Sequence, residues 1–160
     1  MNKKRFERAI FAMGCFWKPE HIFSRIIGVV GTKAGYIGGN EKQFLNPSYE
    51  QVCSNKTGYT EAVEITFNSS IISYTELLDI FWKNHDSTSL NKQGVDFGTQ
   101  YRSEIFYTNE KQKNSAIKSR NNFQKKLNKI ITTEIRKAPT FFPAEEYHQK
   151  YMEKHGRNVC

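Results

Sequence analysis

Apolar and polar residues alternate from Arg5 to Ala12, Gly14 breaks the alternation, and Lys18-Pro19-Glu20 opens a new pattern with proline near a first helical turn. A period of two marks a strand with one buried face, and apolar residues three and four apart mark one face of a helix. The chain therefore predicts a strand near 5–12, a helix near 18–27 and a strand near 29–37. Asn46-Pro47 reads as a cap followed by proline at the first helical position, starting a short helix through Tyr49 and Cys53. Residues 60–67 alternate as a strand. Ser73-Tyr74-Thr75-Glu76 is a capping-box pattern, and Tyr74, Leu77, Leu78, Phe81 and Trp82 follow it at i, i+3, i+4, i+7 and i+8. A loop with Gly94 and Gly98 leads to a strand near 102–107, a helix near 110–130, a strand near 132–137 and a last helix near 144–154. Two strand–helix–strand units with appended elements predict an α+β fold, a ferredoxin-like split βαβ sandwich. No repeat or low-complexity linker interrupts it, so residues 1–160 are expected to form a single domain, with 156–160 as a mobile tail.

The turn between the first strand and the first helix carries Cys15, in Gly14-Cys15-Phe16-Trp17. A thiol there faces helix N–H groups and the positive end of the helix dipole, a setting that favours the thiolate. A single cysteine is more often a small buried hydrophobe. The adjoining aromatic rings favour the nucleophile here, because they line an apolar pocket at the thiol. Glu61 is the second candidate, since strand periodicity puts it on the face of Val63, Ile65 and Phe67 while Glu64 falls on the other. A carboxyl on an apolar face tends to hold its proton and to act as a donor or general acid. At the edge of the strand it is instead ionised and wet, and periodicity alone does not choose between these.

These residues resemble the A-type peptide methionine sulfoxide reductases. Gly14-Cys15-Phe16-Trp17 looks like the active-site signature of that family. Gly35-Tyr36-Ile37-Gly38-Gly39, Asn46-Pro47-Ser48-Tyr49, Gly58-Tyr59-Thr60-Glu61-Ala62-Val63, Phe81-Trp82-Lys83-Asn84-His85-Asp86 and Gly98-Thr99-Gln100-Tyr101-Arg102-Ser103 resemble its further segments in the same order. The similarity runs from about residue 8 to the C-terminus. One departure is Lys18, where the family usually has glycine, and it bears on substrate preference. The resemblance implies the same fold type and a thiol-dependent repair of methionine S-sulfoxide, in proteins and as the free amino acid. It implies that the Cys15 thiolate attacks the sulfoxide sulfur, that Glu61 with the hydroxyls of Tyr49 and Tyr101 stabilises and protonates the oxygen, and that Phe16 and Trp17 hold the S-methyl group. Asp96, in Val95-Asp96-Phe97-Gly98, matches the aspartate that helps bind the substrate main chain. The resulting sulfenic acid on Cys15 needs a resolving thiol. By its place after Glu145-Glu146-Tyr147-His148-Gln149-Lys150-Tyr151, Cys160 matches the family's resolving cysteine, on a tail with Gly156. Cys53, one helical turn from Tyr49, is the rival and is expected to be buried and structural. No cofactor is implied beyond an external dithiol, for which the resemblance implies thioredoxin.

Composition narrows the classes. The chain has 24 Lys and Arg against 16 Asp and Glu, a net charge of +8, which raises a polyanion partner. Much of the excess lies between Lys111 and Lys129, interleaved with Ala116, Ile117, Phe123, Leu127 and Ile130 at helical spacing, so these lysines read as a solvated helix face. No nucleic-acid signature accompanies them. Three cysteines without a close pair fit neither a disulfide framework nor a structural zinc site, which argues against metal and against the zinc-binding B-type reductases. A reducing compartment, the cytoplasm, follows, and no apolar run is long enough for a membrane span. The chain is expected to be a monomer. His85 and Asp86 end a helix, and His148 reads as a surface or packing residue. The rival functions are a cysteine hydrolase or acyltransferase, using Cys15 with His85 or His148 as base, and a basic binding module that needs no thiol.

Overall fold

The structure, a computed structural model, describes residues 5–156. In chain order the elements are β1 (Phe6–Met13), α1 (Trp17–Ser24), β2 (Val29–Ile37), α2 (Tyr49–Cys53), β3 (Thr60–Asn68) and α3 (Tyr74–Lys83). A two-stranded hairpin of β4 (Lys92–Gln93) and β5 (Asp96–Phe97) follows, then β6 (Ser103–Tyr107), α4 (Glu110–Gln124), β7 (Glu134–Lys137), β8 (Phe142–Pro143) and α5 (Tyr151–His155). The main sheet has the order β7-β6-β1-β3-β2-β8. Its four central strands, β6-β1-β3-β2, pair antiparallel throughout, and β7 adds in parallel to β6. That central order is the expected split βαβ sandwich, with β3 inserted between the parallel strands β1 and β2 that α1 connects.

Alternation decides what each face of the sheet packs against. Ala9, Phe11 and Met13 of β1 and Val63, Ile65 and Phe67 of β3 join Phe23 of α1 and Leu77, Leu78 and Phe81 of α3 in the larger core. Ile10, Ala12, Ile37, Ala62 and Phe106 fill a smaller cluster on the other face. Phe11 sits at the centre of the larger one, its ring 5.0 Å from Phe81 and 5.7 Å from Phe23. Fully burying a ring of this kind contributes about 2–3 kcal/mol. The Ser73 hydroxyl accepts from the Glu76 N–H and the Glu76 carboxylate accepts from the Ser73 N–H, so the capping box of α3 forms as its sequence predicts.

Several boundaries differ from the sequence reading. The helix α1 ends at Ser24 rather than near 27, with Arg25 as its cap and Gly28 at φ +103° turning the chain into β2. The helix α4 ends at Gln124 rather than near 130, because the Gln124 amide accepts from the Ile131 N–H and donates to the Lys129 carbonyl, closing a loop that leaves Ile130 exposed. The last predicted helix, 144–154, is broken into a 3₁₀ turn at Glu146–His148 and the short α5. Lys150 between them adopts φ +50°, its N–H donated to buried Glu20 at 2.7 Å. Neighbouring Gln149 bonds the N–H and the carbonyl of Ala34 on β2, each at 2.9 Å. Those tertiary bonds hold the segment against α1 and β2 in a shape that a continuous helix does not allow.

Candidate active site

Three elements converge where β1 runs out. Gly14 makes the turn at φ +88°, and a Cβ there would lie 2.7 Å from Gln93 of the hairpin, so only glycine lets β1, α1 and the hairpin meet. Cys15 follows, half-buried, two residues before the first residue of the helix. Phe16 is the N-cap of α1 and provides no side-chain cap. Its N–H donates instead to Glu61 Oε1 at 3.1 Å. One of the helix N–H groups that the sequence reading left facing the thiol is therefore held by the acid, which anchors the start of α1 to β3. Glu61 is 1% exposed, which excludes the wet strand-edge alternative.

The aromatic residues around this point belong to one apolar cluster with Tyr36, Val52, Tyr59 and Ala144. Phe16 is fully buried, its ring 5.7 Å from Tyr36 and 5.2 Å from His148. Trp17 stacks on Tyr151 at 3.8 Å and donates from Nε1 to His148 Nδ1 at 3.1 Å. Of the two readings of His148, surface or packing, the structure shows packing: it is 1% exposed and 4.6 Å from the Tyr49 ring. Because Nδ1 accepts, the neutral ring carries its proton on Nε2, which is buried without a partner among the described residues. Desolvation pushes the His148 pKa down, against the pull of Glu145.

Tyr49 and Tyr101 complete the polar side. Burial lifts both phenols far above their ordinary range, and neighbouring acidic groups add to this, Cys53 and Glu61 for both and Asp96 and Cys15 for Tyr101. Both hydroxyls therefore keep their protons at neutral pH and can donate them. The Glu145 carboxylate positions this side: it accepts from the Tyr36 hydroxyl and from the Tyr49 N–H, each at 2.9 Å. Burial opposes its ionisation, but these bonds outweigh that and hold its pKa below the usual carboxylate range. Cys53 departs from expectation. It is exposed rather than buried, and the Tyr49 hydroxyl bonds its thiol. Desolvation nevertheless keeps that thiol above its ordinary pKa, an effect the Tyr49 bond offsets only in part. The cause is the brevity of α2, whose final turn faces solvent.

A cavity of about 300 Å³ opens beside Cys15, lined on the α1 side by Met13, Lys18 and Pro19 and on the other by His85, the hairpin and Asp96. A somewhat larger groove between α3 and α4, about 390 Å³, lies among Trp82, Phe123 and lysines and has no thiol on its walls. His85 bonds the Phe81 carbonyl through Nδ1 and Ser103 Oγ through Nε2, each at 2.7 Å. Both of its nitrogens are committed, and His148 presents an N–H rather than a lone pair. Neither imidazole is arranged as the base of a cysteine hydrolase. Cys160 lies outside the described residues. Among the described residues no cluster of three or more His, Cys, Asp or Glu side chains is placed to hold a metal ion, and no helix is long and apolar enough to cross a membrane.

The sequence reading gives no role to Tyr36 or Glu145. The motif Gly35-Tyr36-Ile37 contained the tyrosine, but no local pattern tells that a carboxylate 109 residues away accepts from it.

Comparison with known proteins places this arrangement. A family model described as peptide methionine sulfoxide reductase matches residues 7–160. Peptide methionine sulfoxide reductase MsrA of Methanothermobacter thermautotrophicus is 48% identical over 100% of this chain and 94% of its own length. Its counterpart from Methanococcus maripaludis strain C6 is 51% identical over 96% of this chain and 95% of its own. Among solved structures, reduced Mxr1 from Saccharomyces cerevisiae superposes with a TM-score of 0.93 at 34% identity, over 99% of this chain and 91% of that one. Methionine sulfoxide reductase A of Corynebacterium diphtheriae gives 0.92 at 32% identity, over 99% and 79%.

Proposed function

The chain belongs to the peptide methionine sulfoxide reductase family, and from that premise we propose how its residues divide the work. The reaction is the thiol-dependent reduction of methionine S-sulfoxide to methionine. The observation that carries the reading is the bond from the Phe16 N–H to Glu61 Oε1, which fixes a buried acid against the residue that follows the candidate nucleophile.

The Cys15 thiolate attacks the sulfoxide sulfur. Glu61 delivers a proton to the sulfoxide oxygen as the sulfur–oxygen bond weakens, and the hydroxyls of Tyr49 and Tyr101 donate hydrogen bonds to it. The apolar cluster of Phe16 and Trp17 seats the S-methyl group, and Asp96 accepts from the substrate main chain. The oxygen passes to Cys15 as a sulfenic acid and the thioether leaves as methionine, so sulfur is oxidised at Cys15 by the two electrons that the substrate gains. Cys160 attacks the sulfenic sulfur, forming a Cys15–Cys160 disulfide and releasing water. A thioredoxin-type dithiol protein then reduces that disulfide by exchange. Cys53 is the alternative resolving thiol, because it is exposed and bonded to Tyr49 within the same site. Residues 1–160 act as one domain in the cytoplasm, whose reducing poise suits a chain with three cysteines and no disulfide framework.

The test is steady-state turnover of separate S and R epimers of a capped methionine sulfoxide peptide with dithiothreitol. The S epimer alone is reduced, and Glu61→Gln lowers its kcat by about 10²–10⁴-fold, the usual range for loss of a general acid. Reduction of both epimers, or an unchanged kcat in Glu61→Gln, contradicts the assignment.

A further inference from the structure

The C-terminal segment docks on the sheet and on α1 through Gln149, which bonds the N–H and the carbonyl of Ala34, and through the Lys150 N–H, which donates to Glu20. Glu145 makes bonds of another kind. Both of its oxygens reach the walls of the site: Oε1 accepts from the Tyr36 hydroxyl and Oε2 from the Tyr49 N–H, each at 2.9 Å. Burial pulls its pKa up, but these bonds, with one from its own N–H, prevail, so both oxygens are acceptors at neutral pH. Tyr36 is fully buried and stands directly opposite Glu61 across the β2–β3 ladder. Residues paired in this way project to the same face of the sheet. With one side chain, Glu145 therefore holds the phenol beside the candidate acid and the backbone of the candidate donor.

The bond to Tyr49 answers a need that α2 does not meet by itself. The capping box of α2 spends the Ser48 hydroxyl on the Gln51 N–H and the Gln51 amide on the Ser48 N–H. The Tyr49 N–H lies in the first turn, where no carbonyl of the helix is placed to accept it. A helix as short as Tyr49–Cys53 is not stable alone, so bonds from outside decide where it and its tyrosine sit. At the far end of the ring, the Tyr49 hydroxyl rests on the Cys53 thiol. Sulfur is a weak acceptor, so a sulfoxide oxygen takes that hydrogen bond over while the backbone stays anchored. We propose that Glu145 is a positioning residue for the reductive step, fixing Tyr49 so that its hydroxyl meets the sulfoxide oxygen beside Glu61. Glu145 touches no reacting atom and acts through Tyr49. The proposal rests on the donor role given to Tyr49 and extends it to a carboxylate 96 residues further along the chain.

The experiment measures single-turnover reduction of a capped S-epimer methionine sulfoxide peptide by pre-reduced protein, over a range of peptide concentrations. It compares wild type, Glu145→Ala, Glu145→Gln, Tyr49→Phe, and Glu145→Ala combined with Tyr49→Phe. Glu145→Ala lowers the saturating rate by about fivefold to tenfold, no more than loss of the Tyr49 hydroxyl does, and leaves the half-saturating concentration within about twofold. Glu145→Gln restores most of the rate, because its amide oxygen accepts from the Tyr49 N–H while its NH₂ donates to the Tyr36 hydroxyl oxygen. In the Tyr49→Phe background, Glu145→Ala changes the rate by less than about twofold, whereas a merely structural defect multiplies through both backgrounds. Should Glu145→Ala fail to fold, Glu145→Asp, whose carboxylate falls one methylene short of both partners, replaces it with the same expectations. A saturating rate equal to wild type in Glu145→Ala, multiplying losses in the double variant, or a Glu145→Gln as slow as Glu145→Ala overturns the proposal. A Tyr49→Phe variant as fast as wild type overturns the donor reading of Tyr49 instead.

Discussion

At the scale of single residues, the account turns on donors kept protonated by burial. Tyr49 and Tyr101 both carry phenols raised far above their ordinary range, chiefly by desolvation, and both sense Glu61. In the proposed mechanism both donate to the sulfoxide oxygen, so they substitute for each other in part. Tyr49→Phe and Tyr101→Phe are each expected to lower kcat/KM for the S-epimer peptide by about tenfold, while the double variant loses more than the product of the two. Strict multiplication of the single effects in that double-mutant cycle would show that the hydroxyls act on separate steps. Much of this site was legible beforehand, because Cys15 follows a strand and precedes a helix, and Glu61 sits on an apolar strand face. What periodicity left open was the environment of Glu61, which depends on Phe16, 45 residues earlier in the chain.

At the scale of elements, the turn at Gly14 aims the nucleophile. Its φ of +88° and the 2.7 Å approach to Gln93 leave no room for a side chain. Gly14→Ala is expected to cost about 1–3 kcal/mol, read as a lower denaturant midpoint, and to depress activity as the hairpin withdraws from Cys15. A variant as stable and active as wild type would show that the turn and hairpin yield freely. The long periodic elements, β1, β3 and α3, were predictable because their own side chains decide which face is buried. The hairpin was not, since strands of two residues present no period to read. The C-terminal segment was misread as one helix because its shape is imposed from outside, by Glu20 and Ala34 more than 100 residues away.

At the scale of the whole molecule, stability is tied to acid through His85. Its ring is pushed down to about 4 from an ordinary 6.5, first by burial, with the Phe81 carbonyl bond and Asp86 pulling the other way. Between those values the unfolded chain binds more protons than the folded one, so stability falls as pH falls. The loss begins near pH 6.5, continues to about 4, and reaches about 3 kcal/mol at most. Urea denaturation from pH 7.5 to 4 should show this slope in wild type and a shallower one in His85→Gln. Identical slopes would assign the acid sensitivity to other groups. The same His85 network, through Ser103 to Thr133, joins the segment just past α3 to β6 and the loop before β7.

The central claim is that Cys15 reduces the sulfoxide and that Cys160 resolves it. The most direct measurement is single-turnover reduction of an S-methionine sulfoxide peptide by the pre-reduced protein, without added reductant, counting methionine and free thiols together and mapping disulfides by mass. Wild type is predicted to form one methionine per chain, lose two thiols and contain a Cys15–Cys160 disulfide, while Cys15→Ser forms no product and Cys160→Ser forms product without that disulfide. Product from Cys15→Ser would contradict the account of the chemistry, and a Cys15–Cys53 disulfide in wild type would contradict the role given to Cys160.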